Sequence, residues 1–156
     1  GIGRGSEFVV RLPLLAEPAT TSPEPAAAPA PATARRILVV DDNRDSAESL
    51  SMLLELTGHQ TSIAYDGPQA IDAAERVRPE VLLLDIGLPK LNGYEVARWI
   101  RAQPWGAGIV LIALTGWGQD EDRQKSRDAG FDAHLVKPVE YAALTALLAQ
   151  LPVRPA

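Results

Sequence analysis

Val81-Leu82-Leu83-Leu84-Asp85, followed at once by Ile86-Gly87-Leu88-Pro89, is the stretch on which the fold turns. Four consecutive apolar residues that end in turn-forming residues read as a strand buried on both faces, as in a parallel sheet. A carboxylate inside such a strand is costly to desolvate, so Asp85 is expected at its carboxyl end. Open α/β sheets place their ligand sites there. Taken alone, Asp85 reads equally well as an acid that caps the following loop.

Outward from that strand the same unit repeats. Upstream, Ile37-Leu38-Val39-Val40 runs into Asp41-Asp42, and Asn43 is suited to cap a helix carrying Ala47, Leu50, Leu53 and Leu54 at helical spacing. Gly58 stops that helix, Thr61–Tyr65 reads as a second strand, and Asp66-Gly67 reads as a turn. Ala70, Ile71, Ala74 and Val77 then mark a second amphipathic helix. Downstream, Asn92-Gly93 opens a helix with Val96, Ala97 and Ile100 facing inward. Ile109–Leu114 is a fourth apolar run, ending in Thr115. Residues Gln119–Ala129 read as a helix stopped by Gly130, Ala133–Val136 as a fifth strand ending in Lys137-Pro138, and Leu144, Leu147, Leu148 and Leu151 stripe a last helix. Alternating strands and helices imply right-handed crossovers, hence an α/β, doubly wound parallel sheet covered on both faces.

The residues that end the strands carry the chemistry. Asp41 and Asp42, Asp85, Thr115 and Lys137 terminate strands one, three, four and five, and in a parallel sheet those ends share one edge. Three carboxylates gathered there repel one another, so either some protonate or a cation sits among them. Oxygen donors few in number suit Mg²⁺, which keeps waters and is completed by a phosphate. An ammonium and a hydroxyl facing it would hold the remaining phosphoryl oxygens.

Val-Val-Asp-Asp-Asn (39–43), Leu-Leu-Leu-Asp-Ile-Gly-Leu-Pro (82–89), Ala-Leu-Thr-Gly (113–116) and Leu-Val-Lys-Pro (135–138), in this order, resemble the receiver domains of two-component signalling. The resemblance covers residues 35–153 and implies a (βα)5 flavodoxin-like sheet of strand order 2-1-3-4-5. It implies that Asp85 is the phosphoacceptor, taking a phosphoryl group from the phosphohistidine of a kinase. It further implies that Asp42, Asp85 and the backbone carbonyl of Gly87 bind Mg²⁺ directly, with Asp41 helping through water. Lys137 would pair with the phosphoryl group, Thr115 would shift to hydrogen-bond it, and a cis peptide is expected before Pro138. The output would be a switch in the face formed by helix 4, strand 5 and helix 5, through which such domains also form homodimers.

Three positions depart from the commoner receiver pattern. The switch position three before the lysine, commonly Tyr or Phe, is His134. Gly87 supplies no side chain to hold or exclude a hydrolytic water, and Trp117 stands two places after Thr115. The fourth helix, Asp120-Glu121-Asp122-Arg123-Gln124-Lys125-Ser126-Arg127-Asp128, is polar nearly all round, with Glu121 and Lys125 at pairing distance along the helix. An element with so little apolar face should cost little to move.

Before residue 35 the chain has another character. Residues 1–14, with Gly3, Gly5, Ser6 and Phe8 ahead of Leu12-Pro13, resemble the last glycine-rich turn and closing strand of the ATP-binding domain of sensor histidine kinases. Residues 15–34 are dominated by alanine and proline and cannot bury enough apolar surface to offset their ordering entropy. They read as a semi-stiff tether reaching up to ~60 Å at ~3.1 Å per residue. From these features the receiver-like domain is expected at the C-terminus of a hybrid sensor histidine kinase. Its expected partners are a kinase phosphohistidine domain, in cis or in trans, and a histidine phosphotransfer protein. As a fragment it would catalyse only its own phosphorylation and slow dephosphorylation.

Composition limits the alternatives. The chain has 156 residues, 46% of them hydrophobic, with no cysteine and a net charge of −5. Cysteine-ligated metals and disulfides are excluded, and without a basic cluster nucleic acid is not an expected partner. No apolar run approaches the ~18–20 residues that span a bilayer, so a soluble cytoplasmic domain is the expectation. A Mg²⁺-dependent aspartyl phosphatase also forms an aspartyl phosphate at a strand end, but its second aspartate would stand at Gly87, leaving no proton carrier. A phosphate-independent binding module would not need Asp41, Asp42, Asp85, Thr115 and Lys137 together. A flavin domain would want a phosphate-cradling loop after strand one.

Overall fold

The computed structural model describes residues 34–116 and 120–151, with backbone alone at 120–123. The readings of residues 1–14, of the tether short of Ala34, and of Trp117 lie outside the described residues. The elements run β1 Arg36–Val40, α1 Arg44–Leu56, β2 Gln60–Ala64, α2 Gly67–Val77, β3 Val81–Asp85, α3 Gly93–Arg101, a 3-10 turn Gly106–Gly108, β4 Val110–Thr115, α4 Asp120–Asp128, β5 Ala133–Val136 and α5 Tyr141–Gln150. The strands form one parallel sheet in the order β2-β1-β3-β4-β5. This is the doubly wound flavodoxin-like architecture, with β3 at its centre.

Strand alternation sorts the core into two layers. Leu38, Val40, Leu82, Leu84, Leu111 and Ala113 face α2 and α3 and pack on Ala70, Ala74, Val96, Ala97 and Ile100. Ile37, Val39, Val81, Leu83, Ile112 and Leu114 face α1 and α5 and pack on Ala47, Leu50, Leu54, Leu144 and Leu148. All five residues of β3 are buried, as a strand covered on both faces must be. Each fully buried leucine there contributes about 2 kcal/mol of transfer free energy.

Helix starts follow local side-chain chemistry. The Asn43 side chain accepts from the Ser46 amide, and Asn92 with Glu95 forms a reciprocal capping box at α3. Asp66, expected in a turn, is instead the N-cap of α2, accepting from the Gln69 amide, so the helix begins directly at Gly67. β2 accordingly lies one residue earlier than its apolar pattern predicts, and Tyr65 leaves the sheet. Leu53, expected inside, is 42% exposed beside Met52 and Leu56. Ser51 takes the inward place and shares a 2.5 Å hydrogen bond with Thr61 of β2. Gly58 follows α1 at φ +90°, a left-handed geometry that a side chain would strain.

On α4, the i,i+4 pair observed is Gln124 Nε2 donating to Asp128 Oδ1 at 2.9 Å. The predicted partner Glu121 has no described side chain. Ser126 is buried, as is Ala129 just beyond the helix, so the inward face among the described residues is narrow. What fixes this corner is Arg101 at the end of α3. It donates to the carbonyls of Gly106, Ile109 and Gly130 at 2.7–2.8 Å and meets Asp132 Oδ2 at 2.6 Å. Asp132 Oδ2 also accepts from the Leu111 amide, so one guanidinium joins α3, β4 and the approach to β5.

At the opposite edge of the sheet, His59 is buried and its Nδ1 accepts the Arg35 backbone N–H at 3.3 Å. Burial first, then the Arg35 charge, holds the imidazole below its ordinary pKa, with Glu80 opposing in part. A folded-state pKa below the unfolded one means stability is full above the ordinary value near ~6.5 and falls as pH drops beneath it. Urea midpoints should therefore fall between about pH 7.5 and about pH 5.5. His59→Asn, which keeps an acceptor at the Nδ1 position and cannot titrate, should show a smaller fall. Equal pH dependence in the two proteins would refute this assignment.

Candidate functional site

Three side chains reach the sheet's carboxyl edge on one register. Asp41 continues the Ile37–Val39 alternation, Asp85 the Val81–Leu83 alternation, and Lys137 the Ala133–Leu135 alternation, so all three lean toward the α1/α5 layer. Lys137 Nζ lies 2.7 Å from Asp41 Oδ2 and 2.8 Å from Asp85 Oδ2. Neighbouring strands are ~4.8 Å apart, so a group from β5 must cross the end of β4 to reach β3 and then β1. A long flexible cation does this. The Lys137–Pro138 peptide is cis.

Each carboxylate is further held by backbone. Asp85 Oδ1 accepts from the Gly87 amide at 3.0 Å, and Asp41 Oδ1 from the Asn43 amide at 3.0 Å. Asp41 Oδ2 also accepts from the Ser46 hydroxyl at 3.1 Å. The Asp41 and Asp85 side chains are 2% and 10% exposed. Asp42 is exposed, yet Asp41, Asp42 and Asp85 each present an oxygen within 4.8 Å of the others.

Burial disfavours the Lys137 ammonium, but its hydrogen bonds to Asp41 and Asp85, and then their charges, outweigh that and raise its pKa above the ordinary lysine value. The ammonium therefore persists at neutral pH, and the stability it lends is lost only as pH climbs past the ordinary lysine range. One cation thus stands against three acids. Such a set, all oxygen and net negative, fits a hard divalent ion. On β4, Thr115 is buried and its Oγ1 is, among the described residues, the one buried side-chain polar atom with no hydrogen-bond partner. A buried hydroxyl left unmade costs about 1–3 kcal/mol, which a ligand oxygen would recover.

Residues 37–149 match the model of the response regulator receiver domain. The chain belongs to that family. The receiver domain is 40% identical over 116 residues to the response regulator MprA of Mycobacterium avium, covering 74% of this chain and 49% of MprA, so it spans about half that relative's length. It is 36% identical over 114 residues to an uncharacterized 14.6 kDa protein of Leptolyngbya boryana, covering 73% and 87% of the two chains. Among solved structures, it is similar to the receiver domain of sensor histidine kinase PA1611 from Pseudomonas aeruginosa, described with a magnesium ion coordinated in its active-site cleft. The TM-score is 0.68 at 36% identity, covering 74% of this chain and 94% of the other. Chemotaxis response regulator CheY4 of Vibrio cholerae gives a TM-score of 0.71 at 28% identity, covering 74% and 97%.

In this receiver domain Asp41, Asp42, Asp85 and Lys137 converge, Gly87 touches Asp85 through its amide, and Thr115 ends the neighbouring strand β4, on the alternation of Leu111 and Ala113 that faces the α2/α3 layer. His134 lies on β5 opposite Ala113, half-buried, where it lines a shallow hollow with Ser126, Arg127 and Phe131. Sequence reasoning missed Ser46, whose place in the first turn of α1 puts its hydroxyl back over Asp41. It also missed Lys90, which adopts φ +69° and meets Asp66 Oδ2 at 2.6 Å, tying the loop that carries Gly87 to the start of α2. That hydrogen bond first, then the Gln69 amide, holds the Asp66 carboxyl below its ordinary pKa. A serine two places after Arg44 carries no sequence signal of this contact.

Proposed function

We propose that Asp85 accepts a phosphoryl group from a kinase phosphohistidine. A carboxylate oxygen of Asp85 bonds to phosphorus as the P–N bond breaks and its electron pair returns to the imidazole. The observation that carries this reading is the buried Asp85 paired with Lys137, together with the buried, unpartnered Thr115 hydroxyl at the end of the neighbouring strand. Lys137 moves from Asp85 to the phosphoryl oxygens, and Thr115 donates its hydroxyl proton to one of them. Asp42, Asp85 and the Gly87 carbonyl, with Asp41 through water, are the donors that would hold Mg²⁺. When bound, the ion supplies charge neutralisation of the phosphoryl oxygens against this acidic rim. Support comes from the acidic cluster itself and from the magnesium described in the PA1611 receiver domain.

The domain acts as a signalling switch rather than a turnover enzyme, because Gly87 offers no proton carrier for hydrolysis. Its parent is a hybrid histidine kinase of the cytoplasm, a reading supported by residues 1–14, by the tether, and by similarity to receiver domains of histidine kinases from P. aeruginosa and Syntrophus aciditrophicus. Among the described residues no helix is long and apolar enough to cross a membrane. The phosphoryl group passes to a histidine phosphotransfer protein or feeds back on the kinase, and the α4/β5/α5 face, His134 included, carries the response and any homodimer contact. Incubation with acetyl phosphate and Mg²⁺ should add the mass of one phosphoryl group, and prior EDTA should leave the chain unmodified. An unmodified chain in the presence of Mg²⁺ would overturn the reading.

A further inference from the structure

Asp41 carries more hydrogen bonds than its partner across the site. Oδ1 takes the Asn43 amide, and Oδ2 takes both the Ser46 hydroxyl and the Lys137 ammonium. A carboxylate oxygen has two lone pairs in its plane. Oδ2 is therefore saturated, and the remaining lone pair of Oδ1 is the one direction left for a cation or its water. Ser46 can hold this orientation because it is anchored itself. It is the third residue of α1, and its amide is fixed by the Asn43 side chain at 3.1 Å. The same short turn thus caps the helix and grips the acid.

Resting on the phosphoacceptor reading above, we infer that Ser46 is a positioning residue: its hydroxyl keeps Asp41 Oδ2 bonded when Lys137 leaves for the phosphoryl group. With Lys137 gone, Asp41 would otherwise be a carboxylate only 2% exposed, with a single backbone donor, free to rotate about its Cβ–Cγ bond. The serine removes that freedom at the step where the site needs Asp41 to address the ion through Oδ1. Ser46 is exposed on its outer side, so its replacement leaves no cavity in the core.

The test compares Ser46→Ala with Ser46→Thr, which retains the hydroxyl. In metal-free protein carrying Lys137→Ala, which leaves Asp41 Oδ2 to Ser46, the Asn43 amide proton reports the orientation of Asp41, because it donates to Oδ1. It should move in Ser46→Ala and stay in Ser46→Thr. The affinity of the Mg²⁺-dependent beryllofluoride complex should fall roughly tenfold in Ser46→Ala, the low end for groups that orient a metal ligand, and be kept by threonine. A general loss of packing would lower the urea midpoint without separating alanine from threonine in this way. In the Lys137→Ala background an Asn43 amide that does not move on Ser46→Ala, or, with Lys137 present, an undiminished beryllofluoride affinity, overturns the inference. Were the wild type itself to form no complex, the phosphoacceptor reading would fall, and the metal-free Asn43 signal would still decide whether Ser46 orients Asp41.

Discussion

Asp85→Asn should form no phosphoryl adduct with acetyl phosphate and Mg²⁺, whereas the wild type is modified once. An amide oxygen is a far poorer nucleophile than a carboxylate, and the substitution also removes one of the three charges gathered at the rim. The fold should survive. Asparagine keeps the size of the side chain and an acceptor for Lys137 or the Gly87 amide. The weakened ion pair is offset by relief of repulsion from Asp41 and Asp42, so the net change in stability should stay within about 1 kcal/mol. Intact mass and a urea transition on the same samples separate the two effects. Modification of the variant at the wild-type rate would move the phosphoacceptor to another acid.

Gly93→Ala should be strongly disruptive for so small a change, because it strikes fold and site together. The Gly93 amide donates to the Ile86 carbonyl at 3.1 Å, pressing the first turn of α3 against the end of β3. A Cβ at Gly93 would collide with the Asp85 carbonyl oxygen and lie 2.8 Å from Ile86 Cα and 3.0 Å from Asp85 C. These are backbone atoms of the central strand, and they cannot swing aside as a side chain can. Separating α3 from β3 should cost about 3 kcal/mol, the upper range for overpacking a close contact. It also displaces the backbone that holds Asp85, so the rate of adduct formation should fall even at low denaturant. Gly116→Ala is the control: a Cβ there meets nothing within 4 Å. Its stability should stay within about 0.5 kcal/mol of wild type. Equal urea midpoints for Gly93→Ala and Gly116→Ala would refute the close-approach argument.

The features legible in the sequence are those set by neighbours along the chain. Ile37–Val40, Val81–Leu84 and Ile109–Leu114 read as buried strands because a sheet covered on both faces demands unbroken apolar runs. Asn43 reads as a cap and Asn92-Gly93 as the opening of a helix, and each asparagine bonds an amide three residues on. Misreadings arose where a local pattern had a competitor. Leu53 fits the helical period of α1, yet the inward place beside β2 is filled by Ser51 bonded to Thr61. Asp66-Gly67 has turn chemistry, but the same aspartate chemistry caps a helix. Arg101 gives no sequence sign that three carbonyls from two later segments wait for its guanidinium.

Val81–Asp85 shows where the boundary lies. The sequence by itself determined that this run is a buried strand, that Asp85 stands at its end, and that Asp41, Asp42, Thr115 and Lys137 end other strands on the same edge. Burial and charge make those statements nearly unavoidable for a chain that alternates strand and helix. Only the tertiary structure decided which of these groups meet. The order β2-β1-β3-β4-β5 sets β1 beside β3, so Asp41 and Asp85 become neighbours although 44 residues separate them. The parity of the strands turns both toward the layer that receives Lys137, and the first turn of α1 brings Ser46 onto Asp41. Side-chain meetings across strands depend on order and register, which arise from the packing of the whole sheet and leave no trace in any one segment.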